Sequence, residues 1–232
     1  MTALAPTCVV AGATGAVGGA LLPLLCDAYP QVVALTRRPL SVERPGLRTV
    51  EAAFDRLDTM LDAEALRGAD VYCALGTTLR RAGSAAAFER VDREFVVALG
   101  RWARQAAARR LLVVSALGAD ARSRVLYNRV KGRMEADLRA LGLRGLIVFR
   151  PSLLDADRAE RRPAEQLSVH VLRPLKRLVP AAWRPVTPAD VAAAMLLAAR
   201  AEPGDAVIES AQMQGAAARL HAATGRPAAA GD

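Results

Sequence analysis

The stretch VVAGATGAVGG (residues 9–19) decides the fold of this chain. It follows a short apolar run, precedes a helical pattern, and spaces Gly12, Gly15 and Gly18 as GxxGxxG. Glycine suits a tight turn off a strand, a backbone that approaches a diphosphate, and a helix packed close to a sheet. The diphosphate would lie at the helix N-terminus, where N–H groups and the helix dipole favour an anion. The stretch therefore predicts a dinucleotide-binding turn, whose other cofactor-binding residues are Thr14, Ala16 and Val17.

The rest of the chain alternates short apolar runs with longer helical patterns. After the first strand, TCVVAG at 7–12, the sequence predicts strands at 32–36, 47–54, 70–76, 110–118 and 144–151, and helices at about 17–29, 57–67, 86–108 and 127–141. Strands that are apolar throughout and separated by helices indicate a parallel sheet buried on both faces. The predicted fold class is therefore α/β, a Rossmann-like doubly wound parallel sheet with a small C-terminal lobe.

The pattern changes beyond residue 151. A charged loop, a short amphipathic helix at 167–179, a proline-punctuated connector, a second helix at 189–201 and an edge strand at 205–210 follow one another. We predict a single domain over 1–212, whose small substrate lobe covers about 151–210. Residues 213–232 are expected to form a low-complexity tail, frayed or disordered.

The basic composition limits the classes of ligand. The formal net charge is +9, yet the arginines are spread in ones and twos, with no basic block interleaved with aromatic residues. We do not expect nucleic-acid binding, because an anionic cofactor or substrate explains part of the charge. The three cysteines form no CxxC pair and the two histidines have no second ligand nearby in the sequence, so we expect no metal site.

The first 26 residues carry no charged side chain. A secretory leader would begin with a basic segment, and a membrane helix would carry bulky side chains where this stretch has glycines. We therefore expect a protein without a membrane span that resides in the cytoplasm.

The second strand predicts which dinucleotide binds. VVALTRRP (32–39) ends in Thr36, Arg37 and Arg38, where an NAD site would offer a carboxylate to the ribose 2′-hydroxyl. Two guanidinium groups suit a 2′-phosphate, with which they form charge-assisted hydrogen bonds. NADP(H) is therefore the predicted cofactor, and NAD is less favoured. The alternative is an exposed basic turn in an arginine-rich chain.

Ser115, Tyr127 and Lys131 are the predicted catalytic residues. Ser115 ends the apolar run LLVVS, at the carboxyl edge where open α/β sheets build their sites. Tyr127 and Lys131 are one turn apart on a predicted helix and share a face. Lysine is rare here: Lys131 and Lys176 are the only two among 32 basic residues.

The three side chains suit proton transfer beside a nicotinamide. A free tyrosine has a pKa near 10, and a nearby ammonium group stabilises its phenolate. A compact ammonium can also reach ribose hydroxyls, so Tyr127 and Lys131 are predicted to contact the cofactor as well. Ser115 would hold a substrate carbonyl oxygen while a proton and a hydride are transferred. The alternative is that Tyr127 is a half-buried helix residue and Lys131 a solvated one.

On these motifs the chain resembles the short-chain dehydrogenases/reductases over about residues 7–210. It is most similar to their extended and atypical branch, which includes NAD(P)H-binding, epimerase/dehydratase-like and Tat-interacting-protein-like oxidoreductases. Four further stretches are similar to that branch: FDRL, CALGTTLRRAGS, FRPSLL and VTPADVAAAML. The resemblance implies further cofactor contacts at Phe54 and Asp55 (adenine), Leu75, Gly76 and Thr77 (ribose and diphosphate), and Pro151, Ser152 and Leu153 (nicotinamide amide).

Two features depart from that resemblance. Many relatives place an asparagine in the long fourth helix, where RVDREF puts Asp92. Residues 151–210 also form a lobe that is too small to promise a sugar-nucleotide substrate. The resemblance implies an NADP(H)-dependent oxidoreductase acting on an unidentified small carbonyl or alcohol, and homodimers are common among such relatives. The alternative is an NADPH-binding regulatory or assembly protein with little or no turnover.

Overall fold

A parallel sheet of seven strands forms the centre of the computed structural model, which describes residues 4–37, 40, 42–152 and 184–225. The strands are β1 (Thr7–Ala11), β2 (Gln31–Thr36), β3 (Leu47–Glu51), β4 (Asp70–Cys73), β5 (Arg110–Val114), β6 (Leu146–Arg150) and β7 (Ala206–Glu209). In the order β3-β2-β1-β4-β5-β6-β7, the chain first adds β2 and β3 on one side of β1, then crosses back and adds β4 to β7 on the other side. Doubly wound sheets bind their ligands at such a switch point, beyond the carboxyl ends of the strands. The predicted Rossmann-like α/β fold is confirmed.

Helices cover both faces of the sheet. They are α1 (Ala16–Ala28), α2 (Leu57–Met60), α3 (Leu79–Ala82), α4 (Ala85–Glu89), a π-helical turn (Arg90–Glu94), α5 (Phe95–Gln105), α6 (Leu126–Ala140), α7 (Pro188–Ala198), α8 (Ser210–Met213) and α9 (Ala216–Thr224). Successive side chains of a strand point to opposite faces. In β1, Cys8 and Val10 therefore join the core under α1, α7 and α9, whereas Val9 and Ala11 join the core under α5 and α6.

Two predicted helices are interrupted in the structure. The helix expected at 57–67 ends at Met60, because Oδ1 of Asp62 accepts hydrogen bonds from the N–H groups of Glu64 and Ala65 and so favours a local turn. The helix expected at 86–108 begins one residue earlier, at Ala85, with Ser84 as its N-cap. Five of its residues, Arg90–Glu94, are wound as a π-helical turn.

The prediction of a tail from residue 213 is wrong as far as residue 225. Helix α9 lies within that range, and its Ala216 and Leu220 are buried in the core under α7. The backbone N–H of Ala217 donates to Oδ1 of Asp190, which ties α9 to the first turn of α7. An alanine-rich sequence can still form an amphipathic helix when it supplies one apolar side chain per turn.

The C-terminal segment contributes to the main sheet. Strand β7 pairs in parallel with β6, and α7 packs on the same face as α1. The amphipathic helix expected at 167–179 lies outside the described residues, as do 226–232.

A buried polar network lies at the amino ends of β4 and β5. Nε of Arg110 is 3.1 Å from Oδ1 of Asp70, and both side chains are fully buried. The hydroxyl of Tyr29, just after α1, donates to Oδ2 of Asp70 at 2.8 Å and lies 2.7 Å from the hydroxyl of Tyr72. The guanidinium of Arg110 also donates to two carbonyl groups at the end of α7. The network therefore joins α1 and α7, which cover the same face, to the sheet at the end remote from the switch point.

Candidate active site

A cavity of about 530 Å³ opens at the carboxyl ends of the central strands. It begins at the turn between β1 and α1 and continues past the segment after β4 to the end of β5, the start of α6 and the end of β6. Its lining residues are Gly15, Ala16, Val17, Ala74, Leu75, Gly76, Thr77, Thr78, Arg81, Asp92, Val114, Ser115, Ala116, Leu117, Tyr127, Lys131, Pro151 and Ser152. The structure thus brings together all three predicted catalytic residues and eight of the further residues predicted to bind the cofactor.

The glycine turn is shaped by close backbone contacts. Gly12 has φ +87°, and a Cβ there would lie 2.5 Å from the backbone of Ala74. A Cβ on Gly18 would lie 1.9 Å from the carbonyl oxygen of Gly12. Gly15 is the exposed N-cap of α1, so the first N–H groups of that helix face the cavity. Gly12, Thr14 and Gly18 shape the turn without lining the cavity.

Tyr127 and Lys131 lie one turn apart near the start of α6 and both line the cavity. Tyr127 is 42% exposed, and its ring packs on Phe88 with 5.7 Å between the ring centroids. Lys131 is only 2% exposed, and its Nζ also donates to the carbonyl oxygen of Val114 at 3.4 Å. The alternative of a solvated lysine is therefore wrong.

The buried ammonium of Lys131 has a carboxylate partner. Its Nζ lies 2.8 Å from Oδ1 of Asp92, and both side chains are almost completely buried. Burial alone would lower the pKa of Lys131, but the charge and hydrogen bond of Asp92, together with Tyr127 and Cys73, outweigh burial and hold the pKa above its ordinary value. The Tyr127 phenol also interacts electrostatically with this ammonium. Oδ2 of Asp92 accepts a hydrogen bond of 2.8 Å from the N–H of Thr77, which belongs to the segment after β4.

Ser115 faces a second buried carboxylate. Its hydroxyl donates to Oε1 of Glu135 at 2.6 Å, and Glu135 is 1% exposed. Arg150 holds both oxygens of Glu135, through Nε at 3.0 Å and Nη2 at 2.7 Å. Burial acts to raise the pKa of Glu135, but hydrogen bonds from Arg150, Ser115 and Arg139 hold it below its ordinary value. Since an ionised carboxylate only accepts hydrogen bonds, the proton between the two side chains belongs to Ser115.

Arg37, Phe54 and Asp55, which were also predicted to contact the cofactor, do not line this cavity. Arg37 is exposed just after β2, and the buried hydroxyl of Thr36 has no hydrogen-bond partner among the described residues. The Phe54 ring is buried in a stack with Phe95, so only its backbone could meet an adenine; Asp55 is exposed beside it. Arg38 and Leu153 lie outside the described residues.

Two residues at or beside the cavity, Glu135 and Arg81, were not predicted from the sequence. Glu135 follows Lys131 by four residues. This spacing places both on one helix face and could have indicated that Glu135 lies near the predicted catalytic residues. Arg81 lines the cavity from α3. Apart from its place in CALGTTLRRAGS, no sequence pattern indicated that it would lie at the site.

Fold and site together define a class, the dinucleotide-binding α/β proteins. The chain matches the family model described as NAD(P)H-binding over residues 12–202. It belongs to this NAD(P)H-binding family.

Two curated relatives are similar over most of the chain. Protein HTATIP2 of Rattus norvegicus is 38% identical over 165 residues, which cover 68% of this chain and 67% of that protein. Protein FMP52-1, mitochondrial, of Scheffersomyces stipitis is 32% identical over 168 residues, which cover 71% of this chain and 74% of that protein.

Solved structures share the fold at low sequence identity. MoeE5 in complex with UDP-glucose and NAD has a TM-score of 0.64 at 19% identity, covering 95% of this chain and 83% of that chain. An oxidoreductase of the short-chain dehydrogenase/reductase family from Burkholderia thailandensis has a TM-score of 0.59 at 19% identity. The match covers 97% of this chain and 99% of that chain.

The relatives correct the expected location. We expected a cytoplasmic protein, whereas the FMP52 proteins of three fungi are named mitochondrial. The expectation had weighed only a secretory leader and a membrane span against the cytoplasm. Within the described part of the chain, no helix has the length and apolar character needed to cross a bilayer.

Proposed function

We propose that the protein is an NADP(H)-dependent oxidoreductase that interconverts a carbonyl compound and an alcohol. One observation carries the proposal: Tyr127 and Lys131, one turn apart on α6, line the same cavity as the glycine turn. A cavity of about 530 Å³ is within the range of small-molecule and cofactor sites.

The glycine turn fits the diphosphate of a dinucleotide. Cβ atoms at Gly12 or Gly18 would fill the space in which the backbone turns, and the N-terminus of α1 faces the cavity. The orphaned hydroxyl of Thr36 and the exposed Arg37 lie at the end of β2, where a ribose and its 2′-phosphate would be held. Since Thr36 replaces the carboxylate of an NAD site, we propose NADP(H) over NAD, with Arg37 and Arg38 on the phosphate.

The bound nicotinamide would supply or accept the hydride. In the direction of reduction, Tyr127 donates its phenolic proton to the carbonyl oxygen as the hydride reaches the carbonyl carbon, which leaves an alcohol and a phenolate. Lys131 stabilises that phenolate, because the two side chains interact electrostatically. Because Tyr127 is 42% exposed, its phenolate can take a proton back from water.

The role proposed for Ser115 differs from the expected one. Its proton is donated to Glu135, so its oxygen offers lone pairs to the cavity. Ser115 would therefore accept a hydrogen bond from the Tyr127 hydroxyl or from a substrate alcohol, and would not donate to a carbonyl oxygen.

Purified protein, NADPH and a panel of aldehydes and ketones test the proposal. We expect NADPH oxidation with at least one of them and a loss of roughly 10²-fold or more in kcat for Tyr127→Phe, the scale of one proton-transferring group. Because the aromatic ring remains in place and only the hydroxyl is lost, NADPH affinity should change little. Full turnover by Tyr127→Phe would overturn the proposed mechanism.

The bond between Ser115 and Glu135 favours a second candidate, because it removes a donor that would polarise a carbonyl. In that case the protein binds NADPH and regulates or assembles a partner with little turnover. It would bind NADPH, show no turnover with the whole panel, and keep its partner interaction in Tyr127→Phe.

A further inference from the structure

Lys131 has one carboxylate in direct contact within the described structure, and that carboxylate comes from outside its own helix. Asp92 lies in the π-helical turn before α5, which directs its side chain toward α6. π-helical turns are frequent at functional sites. A Cβ on Gly76 would lie 3.5 Å from Oδ1 of Asp92 and 3.9 Å from Nζ of Lys131. The ion pair therefore lies directly beneath the segment that lines the cavity after β4.

The other titratable groups around Lys131 do not replace this carboxylate. Tyr127 shares its helix, and Cys73 faces it from β4. Burial raises the pKa of the Cys73 thiol to about 11, so the thiol is neutral at physiological pH. Glu135, one turn further along α6, already accepts hydrogen bonds from Ser115, Arg150 and Arg139. A buried lysine without a paired charge loses its proton more readily than a solvated one.

We propose that Asp92 is a positioning residue that keeps Lys131 charged and aims its ammonium at the Tyr127 phenol. It acts through Lys131 and does not itself exchange a proton with substrate. Because Thr77 donates to the other oxygen of the same carboxylate, the position of the ammonium is also tied to the segment after β4. The effect of Asp92 on proton transfer by Tyr127 rests on the proposed oxidoreductase function, whereas its effect on the charge of Lys131 does not depend on that function.

The scarcity of lysine makes the charge of Lys131 measurable. Protein labelled with ¹³C-lysine contains two labelled side chains, Lys131 and Lys176, and Lys176→Arg assigns the remaining signal. In full-length protein without cofactor, we expect Lys131 to titrate above the ordinary lysine pKa of about 10.4. In Asp92→Asn we expect its titration to move down by roughly one pH unit or more, because burial is no longer offset.

Asp137→Asn is the matched control. It removes one carboxylate from α6 itself, from a partly exposed ion pair with Arg93, and should leave the Lys131 titration unchanged. Equal Lys131 titrations in wild type and Asp92→Asn would overturn the proposal. If Asp92→Asn does not fold, the wild-type titration still decides, since a midpoint at or below the ordinary lysine value would also overturn it.

Enzymatic turnover provides a separate measurement. With an active carbonyl substrate, Asp92→Asn should lose kcat most strongly at the pH values where Lys131 has lost its proton, while Asp137→Asn keeps the wild-type profile. If no substrate is turned over but the Lys131 titration shifts as expected, the oxidoreductase proposal fails and the role of Asp92 in charging Lys131 stands.

Discussion

Gly18 and Gly19 are neighbours in α1, yet a methyl group should have opposite effects at the two positions. In Gly18→Ala the Cβ would meet the Gly12 carbonyl oxygen at 1.9 Å and the Ala13 Cα at 2.9 Å, and backbone atoms cannot move aside cheaply. We expect a loss of about 2–3 kcal/mol in the free energy of unfolding, with weaker cofactor binding because the turn is displaced.

Gly19→Ala is the control for this prediction. Its nearest neighbour would be the Ala13 carbonyl oxygen at 3.8 Å, an ordinary contact. Alanine within a helix should then stabilise the protein by up to about 1 kcal/mol. Urea unfolding and cofactor titration measure both effects, and equal stabilities of the two variants would contradict the geometry of the turn.

Glu135 should give the protein a distinct pH dependence. Its folded pKa lies below its ordinary value, so its contribution to stability is complete above the unfolded pKa and is lost as the pH falls through the folded pKa. Glu135→Gln leaves Arg150 partly unpaired and should cost about 3 kcal/mol at neutral pH. The difference from wild type should shrink as the pH falls below about 4.3, the ordinary glutamate value.

Asp137→Asn again serves as the control. Its carboxylate is 37% exposed, so the loss should be within about 1 kcal/mol. Urea unfolding at several pH values measures both variants, and a Glu135→Gln loss independent of pH would contradict the assignment of an ionised Glu135.

Contacts between residues that are far apart in sequence limit which site residues the sequence can predict. Tyr127 and Lys131 were predictable because one helix turn joins them. Asp92 is far from Lys131 in sequence, and only the packing of the π-helical turn against α6 brings the two together. Phe54 was expected to face an adenine, but the apolar surface of Phe95 buries its ring.

Elements were predictable where one pattern dominates. Most strands are apolar, the edge strand β3 (LRTVE) being an exception, and the described structure contains each of those expected. Where a helix begins or ends can depend on a single side chain that accepts hydrogen bonds from backbone N–H groups, as Asp62 and Ser84 do, and periodicity does not reveal such a side chain. The alanine-rich composition of residues 216–224 suggested disorder, because composition does not reveal that one apolar side chain per turn is placed on the same helix face.

Leu220→Ala tests whether α9 belongs to the core. Leu220 is 4% exposed within the core under α7, and its truncation should lower the free energy of unfolding by about 2–4 kcal/mol. Leu79→Ala, at a 50% exposed position of α3, should change it by less than about 0.5 kcal/mol. Urea unfolding at neutral pH measures both, and equally small effects would mean that α9 contributes little to the core.

At the scale of the whole molecule, cofactor binding should appear as added thermal stability. NADPH at roughly 100 times its Kd should stabilise the protein by about 2.7 kcal/mol, which raises Tm by several degrees. NADH at the same concentration should raise Tm less, because Arg37 and Arg38 lack a 2′-phosphate to bind. Thermal unfolding monitored by circular dichroism measures both.

Arg37→Ala should narrow the difference between the two cofactors. Arg104→Ala removes an equal charge from the last turn of α5, which leads into the amino end of β5 and does not line the cavity, and should leave that difference intact. Equal stabilisation of the wild type by NADH and NADPH would contradict the proposed preference. A homodimer stays a prediction, as does the lack of nucleic-acid binding.

The network of Asp70, Arg110, Tyr29 and Tyr72 occupies the opposite end of the strands from the cavity. Strands of four or five residues separate the two by roughly 15 Å. Directed evolution could therefore work on two nearly independent sets of positions. A library at the carboxyl ends would alter reactivity, while one at the amino ends would alter heat tolerance, and gains from each should combine almost additively.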